Sequence, residues 1–255
     1  MPSVNQSSKR YSNYDPLAWI YNDSWAPPYC KQFLTPLDQL LLQNLPKGAQ
    51  ILDLCCGTGQ VAGQLLIKGY QVTGLDGSEA MLHYARENAP KGDFILGDAR
   101  CFNLPSTFHA VISTNASLNH VMSLEELQGV FHNVYTALRD KGMFLLSIFL
   151  EEHFYSDVWK GNLTGGEVKE EYAWAIQQSY NPEERIGVFQ VTIFQLLEEN
   201  WQRSDISYQY KAYSRTELQS ALKHAGFTEV SVYDAKGNLT EFDYEGDAIF
   251  VCQKT

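Results

Sequence analysis

The sequence predicts an α/β fold built on a mostly parallel sheet covered by helices. Helix and strand signals alternate after residue 35, the alternation stops between residues 151 and 213, and it resumes from residue 214. The interruption carries aromatic residues in strand-like alternation, which marks an antiparallel insertion after the fifth strand.

The first helix is expected from Pro36 to Asn44, where LDQLLLQNL places leucines on one face, and Gly48 precedes a first strand over Ile51–Leu54. The glycine turn of ILDLCCGTGQ then opens a second helix. QVTGLD makes the second strand, ending at Asp76, and SEAMLHYARENA follows as a helix with Ser78 as N-cap. DFILGD is the third strand, ending at Asp98, and HAVIST the fourth. A capping box, Ser123 to Glu126, starts the next helix, which is expected to leave through Gly142 into a buried fifth strand, Met143–Leu150.

Within the insertion, Val188, Phe189, Val191, Ile193 and Phe194 read as strand. Asn181-Pro-Glu-Glu and Glu199-Asn-Trp-Gln are the expected turns of a meander from Glu171 to Ala212. A second capping box, Ser214 to Glu217, begins the helix ELQSALKHAGF, Gly226 sits at its C-terminal cap, and EVSVY and AIFVCQK supply the last strands.

Thirty acidic against 19 basic side chains give a formal charge of -11, and no basic patch offsets the repulsion of a nucleic acid. The longest apolar run, Met143–Leu150, falls far short of the roughly 20 residues that cross a bilayer. MPSVNQSSKRYSNYD lacks the apolar centre of a secretory signal, so a cytoplasmic location is expected. The five cysteines (30, 55, 56, 101, 252) are scattered without ligand-like or disulfide-like spacing. They read as reduced thiols, and no metal site is expected.

From Gly57 the chain reads G-T-G-Q-V-A in a strand-turn-helix setting, which fits a dinucleotide phosphate turn, so on pattern alone NAD is admissible. Asp53 argues otherwise. A carboxylate inside a central strand is costly to bury without a cationic or hydrogen-bonding partner. A pyrophosphate would add negative charge beside it, whereas an ammonium and a sulfonium would offset it.

With Asp76 and Asp98 at successive strand ends, the constellation resembles the class I S-adenosylmethionine-dependent methyltransferases of small molecules, over roughly residues 36 to 150 and 214 to 255. That family's first motif, D-x-G-x-G-x-G, is carried by Asp53, Cys55, Gly57 and Gly59, with Cys55 in place of the first glycine. The resemblance implies a Rossmann-like, doubly wound, seven-stranded sheet and S-adenosyl-L-methionine as cofactor. It implies Asp76 and Gly77 at the ribose, Asp98, Ala99 and Met81 at the adenine, and Asn115 at the amino-acid end. Cys55 must then adopt a backbone conformation that a non-glycine residue tolerates.

Residues 1–35 form an aromatic segment, and Tyr14-Asp-Pro-Leu-Ala-Trp-Ile-Tyr21-Asn resembles the Y-D-x-x-A-x-x-Y-D lid of many such enzymes, with Asn22 for the second aspartate. Tyr14, Tyr21 or Trp25 could cover a sulfonium with a ring face. His120, after the fourth strand, is the first choice for a general base, with His153 and Tyr155 weaker candidates. Trp159, Tyr172, Trp174, Phe189, Phe194, Trp201, Tyr208 and Tyr210 would line a pocket or, equally, a homodimer interface. Three units are therefore expected: 1–35 as lid, 36–150 with 214–255 as the cofactor-binding domain, and 151–213 as cap. The expected reaction is methyl transfer to an N, O or C atom of a small acceptor. The alternatives are an NAD(P)-dependent oxidoreductase, for which a Y-x-x-x-K pair is absent, and a non-catalytic binder of the same cofactor.

Overall fold

A computed structural model describes residues 13–234 and 247–255; the remainder of the expected lid (1–12) and of the C-terminal part (235–246) lies outside the described residues. Strands β1 (Gln50–Leu54), β2 (Gln71–Asp76), β3 (Asp93–Leu96), β4 (Phe108–Ser113) and β5 (Leu138–Phe149) run parallel. β10 (Glu229–Asp234) and β11 (Asp247–Gln253) complete a seven-stranded sheet in the order β10-β11-β5-β4-β1-β2-β3, with β11 antiparallel to both neighbours. The chain winds outward from β1 to β3 and then crosses to β4 on the other side of β1. Such a reversal opens a crevice beyond the C-terminal ends of the central strands.

Strand periodicity of two sorts the core into two layers. Leu52, Leu54, Val111, Phe144 and Leu146 face one way, against α4 (Leu124–Ala137) and α5 (Arg215–His224). Ile51, Ala110, Ile112 and Leu145 face the other, against α1 (Ala26–Leu40) and α2 (Gln60–Ile67). α3 (Glu79–Asn88) begins with the Ser78 hydroxyl accepting the Met81 N–H at 3.1 Å, and Ser123 and Ser214 cap α4 and α5 likewise. α5 ends with the Gly226 N–H donating to the Lys223 carbonyl and the Phe227 N–H to the Leu222 carbonyl. Gly226 at φ +113° makes that reversal possible.

The helix expected from Pro36 starts at Ala26, ten residues earlier, after a short α-helical turn (Ala18–Ile20) and a π-helical turn (Tyr21–Trp25), and Pro36 lies buried inside it. One missing donor there is outweighed by a buried face of Cys30, Phe33 and Leu37. The helix stops at Leu40, and Leu42–Asn44 is a separate 3₁₀ turn. α4 ends at Ala137, so Gly142 does not cap it. Gly142 serves a turn at the start of β5, where an added Cβ would stand 2.8 Å from the Arg139 carbonyl oxygen.

Between β5 and α5 the chain builds a second, antiparallel sheet, β6 (Lys160–Val168), β7 (Tyr172–Asn181), β8 (Ile186–Leu197) and β9 (Asn200–Lys211). β6 is an extra strand, masked in the sequence by Gly161, Gly165, Gly166 and a mostly exposed course. The β8–β9 hairpin turns on Glu198 and Glu199, both at positive φ, so Trp201 lies in β9 rather than in the turn. The insertion leaves and returns at one point, where Leu150 bridges Tyr213 and the Glu151 N–H donates to the Tyr213 carbonyl at 2.9 Å. Leu17 and Ile20 of the N-terminal turns pack against Tyr172, Val191, Ile193 and Tyr208, which holds this sheet over the crevice.

Candidate functional site

A cavity of about 510 Å³, well within the size range of small-ligand sites, lies between the strand ends and the antiparallel sheet. A small crevice adjoining it is lined by Asp53, near the C-terminal end of β1. That side chain is 1% exposed, and neither carboxylate oxygen has a hydrogen-bond partner among the described residues. Burial, and secondarily the charge of Asp76, push its pKa from 3.8 up to about 7. Among the described residues, an ionised carboxylate there has no positive counterpart.

The turn after β1 is held by its backbone. The Cys55 and Cys56 N–H groups both donate to the Leu75 carbonyl, at 2.7 and 3.1 Å. Cys55 takes φ +62°, in the left-handed region that a non-glycine residue enters at modest cost. Burial pushes both thiols well above their ordinary range, so they remain un-ionised. Among the described residues, no group of three or more His, Cys, Asp or Glu side chains converges as metal ligands. Gly59 at φ +80° lets α2 approach α3, since a Cβ would fall 2.8 Å from the Ala85 Cα. Gly57 lines the cavity, and its N–H donates to Asp76 Oδ2 at 2.9 Å.

Asp76 ends β2 with Oδ1 accepting the Ser78 N–H at 2.9 Å. Burial raises its pKa, and the backbone N–H bonds oppose that rise. Each oxygen retains acceptor capacity on a wall that also includes Gly77, Met81 and Ala99. Asp98, two residues past β3, is engaged by Arg100 through the guanidinium at 2.6 Å and the backbone N–H at 2.9 Å. Burial alone would raise the Asp98 pKa, but these Arg100 bonds hold it below the ordinary value.

Beyond β4, Asn115 takes φ +54° and donates from Nδ2 to the Tyr21 hydroxyl at 2.8 Å, while its N–H donates to the Tyr29 hydroxyl at 2.6 Å. His120 lies on the next turn, with Nδ1 2.9 Å from the Gln209 carbonyl oxygen and Nε2 2.8 Å from the Tyr14 hydroxyl. A carbonyl only accepts, so Nδ1 carries the proton and Nε2 accepts from Tyr14. Burial lowers the His120 pKa to about 4, with the Gln209 carbonyl partly opposing. Tyr14 stacks on Tyr208 at 4.5 Å and 8°, and His120 leans on Tyr210 at 4.3 Å.

The structure thus brings the sequence-derived site residues to the main cavity wall except Asp53, Gly59 and Tyr155, with Asp53 in an adjoining crevice, Gly59 behind the turn and Tyr155 exposed. Of the insertion's aromatics, Trp159, Phe189, Tyr208 and Tyr210 line the cavity. Tyr172 and Trp174 instead pack edge-on against Trp19 and Trp25, whereas Phe194, Trp201 and Tyr155 are exposed. Tyr29, Arg100, Thr164, Gln178 and Asp247 line the cavity without having been singled out in the sequence. Tyr29 and Arg100 carried a signal only in retrospect: an aromatic one helical turn past Trp25 and a cation two residues past a strand-end acid.

A family model described as a methyltransferase domain matches residues 51–142, the stretch that holds β1 to the start of β5. YqeM of Bacillus subtilis (strain 168) is 27% identical over 188 residues, 72% of this chain and 75% of its own length. The dTDP-3-amino-3,4,6-trideoxy-alpha-D-glucopyranose N,N-dimethyltransferase of Streptomyces venezuelae is 28% identical over 120 residues, 47% of this chain and 51% of its own length. Among solved structures, an S-adenosylmethionine-dependent methyltransferase from Clostridium acetobutylicum superposes with a TM-score of 0.76 at 19% identity, covering 94% of this chain and 98% of that one.

Proposed function

We propose, for a chain that belongs to the class I S-adenosylmethionine-dependent methyltransferases, that it moves a methyl group to an N, O or C atom of a small-molecule acceptor by direct displacement. The observation that carries this reading is Asp53, a buried carboxylate with no hydrogen-bond partner among the described residues, in a small crevice that adjoins the main cavity through Tyr21, Cys55, Gly57 and Asn115. The cofactor, S-adenosyl-L-methionine, supplies a sulfonium-activated methyl group and, in its ammonium, a cation suited to that carboxylate. A pyrophosphate would instead meet three carboxylates, which speaks against the oxidoreductase reading.

In this reading the chain's own groups divide the work. Asp53 attracts the ammonium; Cys55, Gly57 and Asn115 present the turn and a Tyr21-oriented amide to the amino-acid end; Gly59 sets the turn's close packing. Asp76 accepts from the ribose hydroxyls with Gly77 leaving room, and Met81, Asp98 and Ala99 receive the adenine. Arg100 keeps Asp98 ionised as an acceptor. Tyr14, Tyr21 and the antiparallel sheet exclude water and align the acceptor.

His120, neutral and holding the Tyr14 hydroxyl, positions that phenol against the acceptor. With its pKa near 4, the imidazole is too weak a base to ionise an alcohol, which favours an acceptor that is already nucleophilic, such as a free amine. Residues 1–35 act as lid, 36–150 with 214–255 as cofactor domain and 151–213 as cap, in a cytoplasmic enzyme. Its exposed Phe194, Leu196, Leu197 and Trp201 on one hairpin offer a surface for a homodimer. The net charge of -11 supports a small acceptor over a nucleic acid. Incubation with methyl-labelled cofactor and panels of small amines, alcohols and RNA tests the proposal: label in small molecules supports it, and label confined to RNA, or none transferred to any acceptor, contradicts it.

A further inference from the structure

The end of the cavity farthest from Asp76 has its own chemistry. β2 and β11 lie four strand spacings apart in the sheet, about 19 Å, so Asp76 and Asp247 mark opposite ends of the crevice. Asp247 opens β11 beside Phe149, and its Oδ1 lies 2.9 Å from His153 Nδ1, with side chains only 15% and 7% exposed. The His153 ring stacks on Phe149 at 4.0 Å and 7° and meets Trp159 edge-on at 6.0 Å. A hydrogen-bonded amide, Gln178, takes the Thr164 hydroxyl at 2.8 Å on the facing wall. The pair is thus held by stacked rings in a single orientation.

The charge of the wall is one-sided. Among the described residues that line the cavity, the carboxylates are Asp76, Asp98 and Asp247, and the side chain that is always cationic is Arg100, already committed to Asp98. Even with a proton on His153, carboxylates outnumber cations, and Asp53 adds a further one below the floor. Ring faces of Phe149, Trp159 and Tyr210 next to a carboxylate attract an organic cation and leave a phosphate without a counter-ion.

We propose that the β5–β11 end of the cavity is an ammonium-binding subsite, with Asp247 as its anchor. The acceptor carries an amine cation remote from the atom methylated, and it carries no phosphate or diphosphate there. This names the acceptor class within the methyltransferase reading and rests on it for the word acceptor. It also separates this chain from relatives whose names specify dTDP-linked sugars.

The test is calorimetric titration of the full chain, loaded with S-adenosylhomocysteine, with three probes of one shape and different charge: benzylamine, benzyl alcohol and benzoate, with thymidine diphosphate as a fourth. Benzylamine is expected to bind about tenfold tighter than benzyl alcohol, with benzoate and the diphosphate weaker still. Asp247→Asn should bring benzylamine and benzyl alcohol to near parity while S-adenosylhomocysteine still binds. Tighter binding of benzoate or diphosphate, no saturable benzylamine binding at millimolar concentration, or an amine preference unchanged in Asp247→Asn overturns the proposal. Should Asp247→Asn fail to fold, Gln178→Glu decides, because a second carboxylate must strengthen the amine preference, and a preference unchanged or weakened overturns it. The S-adenosylhomocysteine titration reads the methyltransferase reading separately: its failure with the charge order intact removes the cofactor and leaves the subsite.

Discussion

Asp53→Asn isolates the electrostatics of the cofactor crevice. In the unliganded protein the carboxylate's pKa is raised from 3.8 to about 7. Between those values the unfolded chain has lost its proton and the native one has kept it, so stability falls as pH rises. At about 1.4 kcal/mol per pH unit, the burden of the ionised form reaches about 4 kcal/mol above pH 7 and vanishes below the unfolded pKa. Asparagine removes the charge but leaves a buried amide in need of partners, at a cost of about 1–3 kcal/mol. The variant is therefore expected to be about 1–3 kcal/mol more stable than wild type at pH 8, or roughly 2–10 °C in Tm, with the gain shrinking and reversing toward pH 4. Urea unfolding across pH 4–8 without cofactor measures it. A variant equally destabilised at pH 8 and pH 4 would show that Asp53 already has a partner, and the charge argument for the cofactor would go with it.

Three further outcomes follow from the geometry. Cys55→Val should be less stable than Cys55→Gly by about 1–2 kcal/mol, because a β-branched residue resists φ +62° while glycine does not, and thermal melts of the pair check this. Gly59→Ala should lose about 1–3 kcal/mol, since the new Cβ meets the Ala85 backbone at 2.8 Å; stability equal to wild type would mean that α2 and α3 part freely. With the His120 pKa held near 4, its neutral form persists above that pH, so kcat/KM should show no inflection from this group near 6.5, and Tyr14→Phe should cut turnover about tenfold or more with cofactor affinity unchanged. An inflection near 6.5 that disappears in His120→Asn contradicts the assignment.

Much of this site was legible in the chain because its signals are local. Ser78, Ser123 and Ser214 announced their helices through side-chain caps, and Asp53 and Asp76 fell at strand ends marked by apolar runs. Pro36 misplaced the first helix because proline's local penalty is visible in sequence, whereas the buried face that overrides it is tertiary. β6 escaped notice because an exposed edge strand with glycines needs no alternation. The pairings that shape the chemistry are long-range: Tyr14 meets His120 across 106 positions, Asn115 meets Tyr29 across 86, and His153 meets Asp247 only through the β5–β11 register. No spacing rule announces contacts that exist only once the sheet has ordered its strands.

In the proposed function, three strand-end carboxylates and a glycine turn form a site for a sulfonium-bearing adenosyl cofactor. Calorimetric titration with S-adenosylmethionine, S-adenosylhomocysteine and NAD, on wild type and Asp76→Ala, tests it most directly. Saturable binding of both adenosyl ligands, weakened in Asp76→Ala by about 1.5–3 kcal/mol, with no NAD signal, is the predicted result. Tight NAD binding with no S-adenosylmethionine signal would contradict the account.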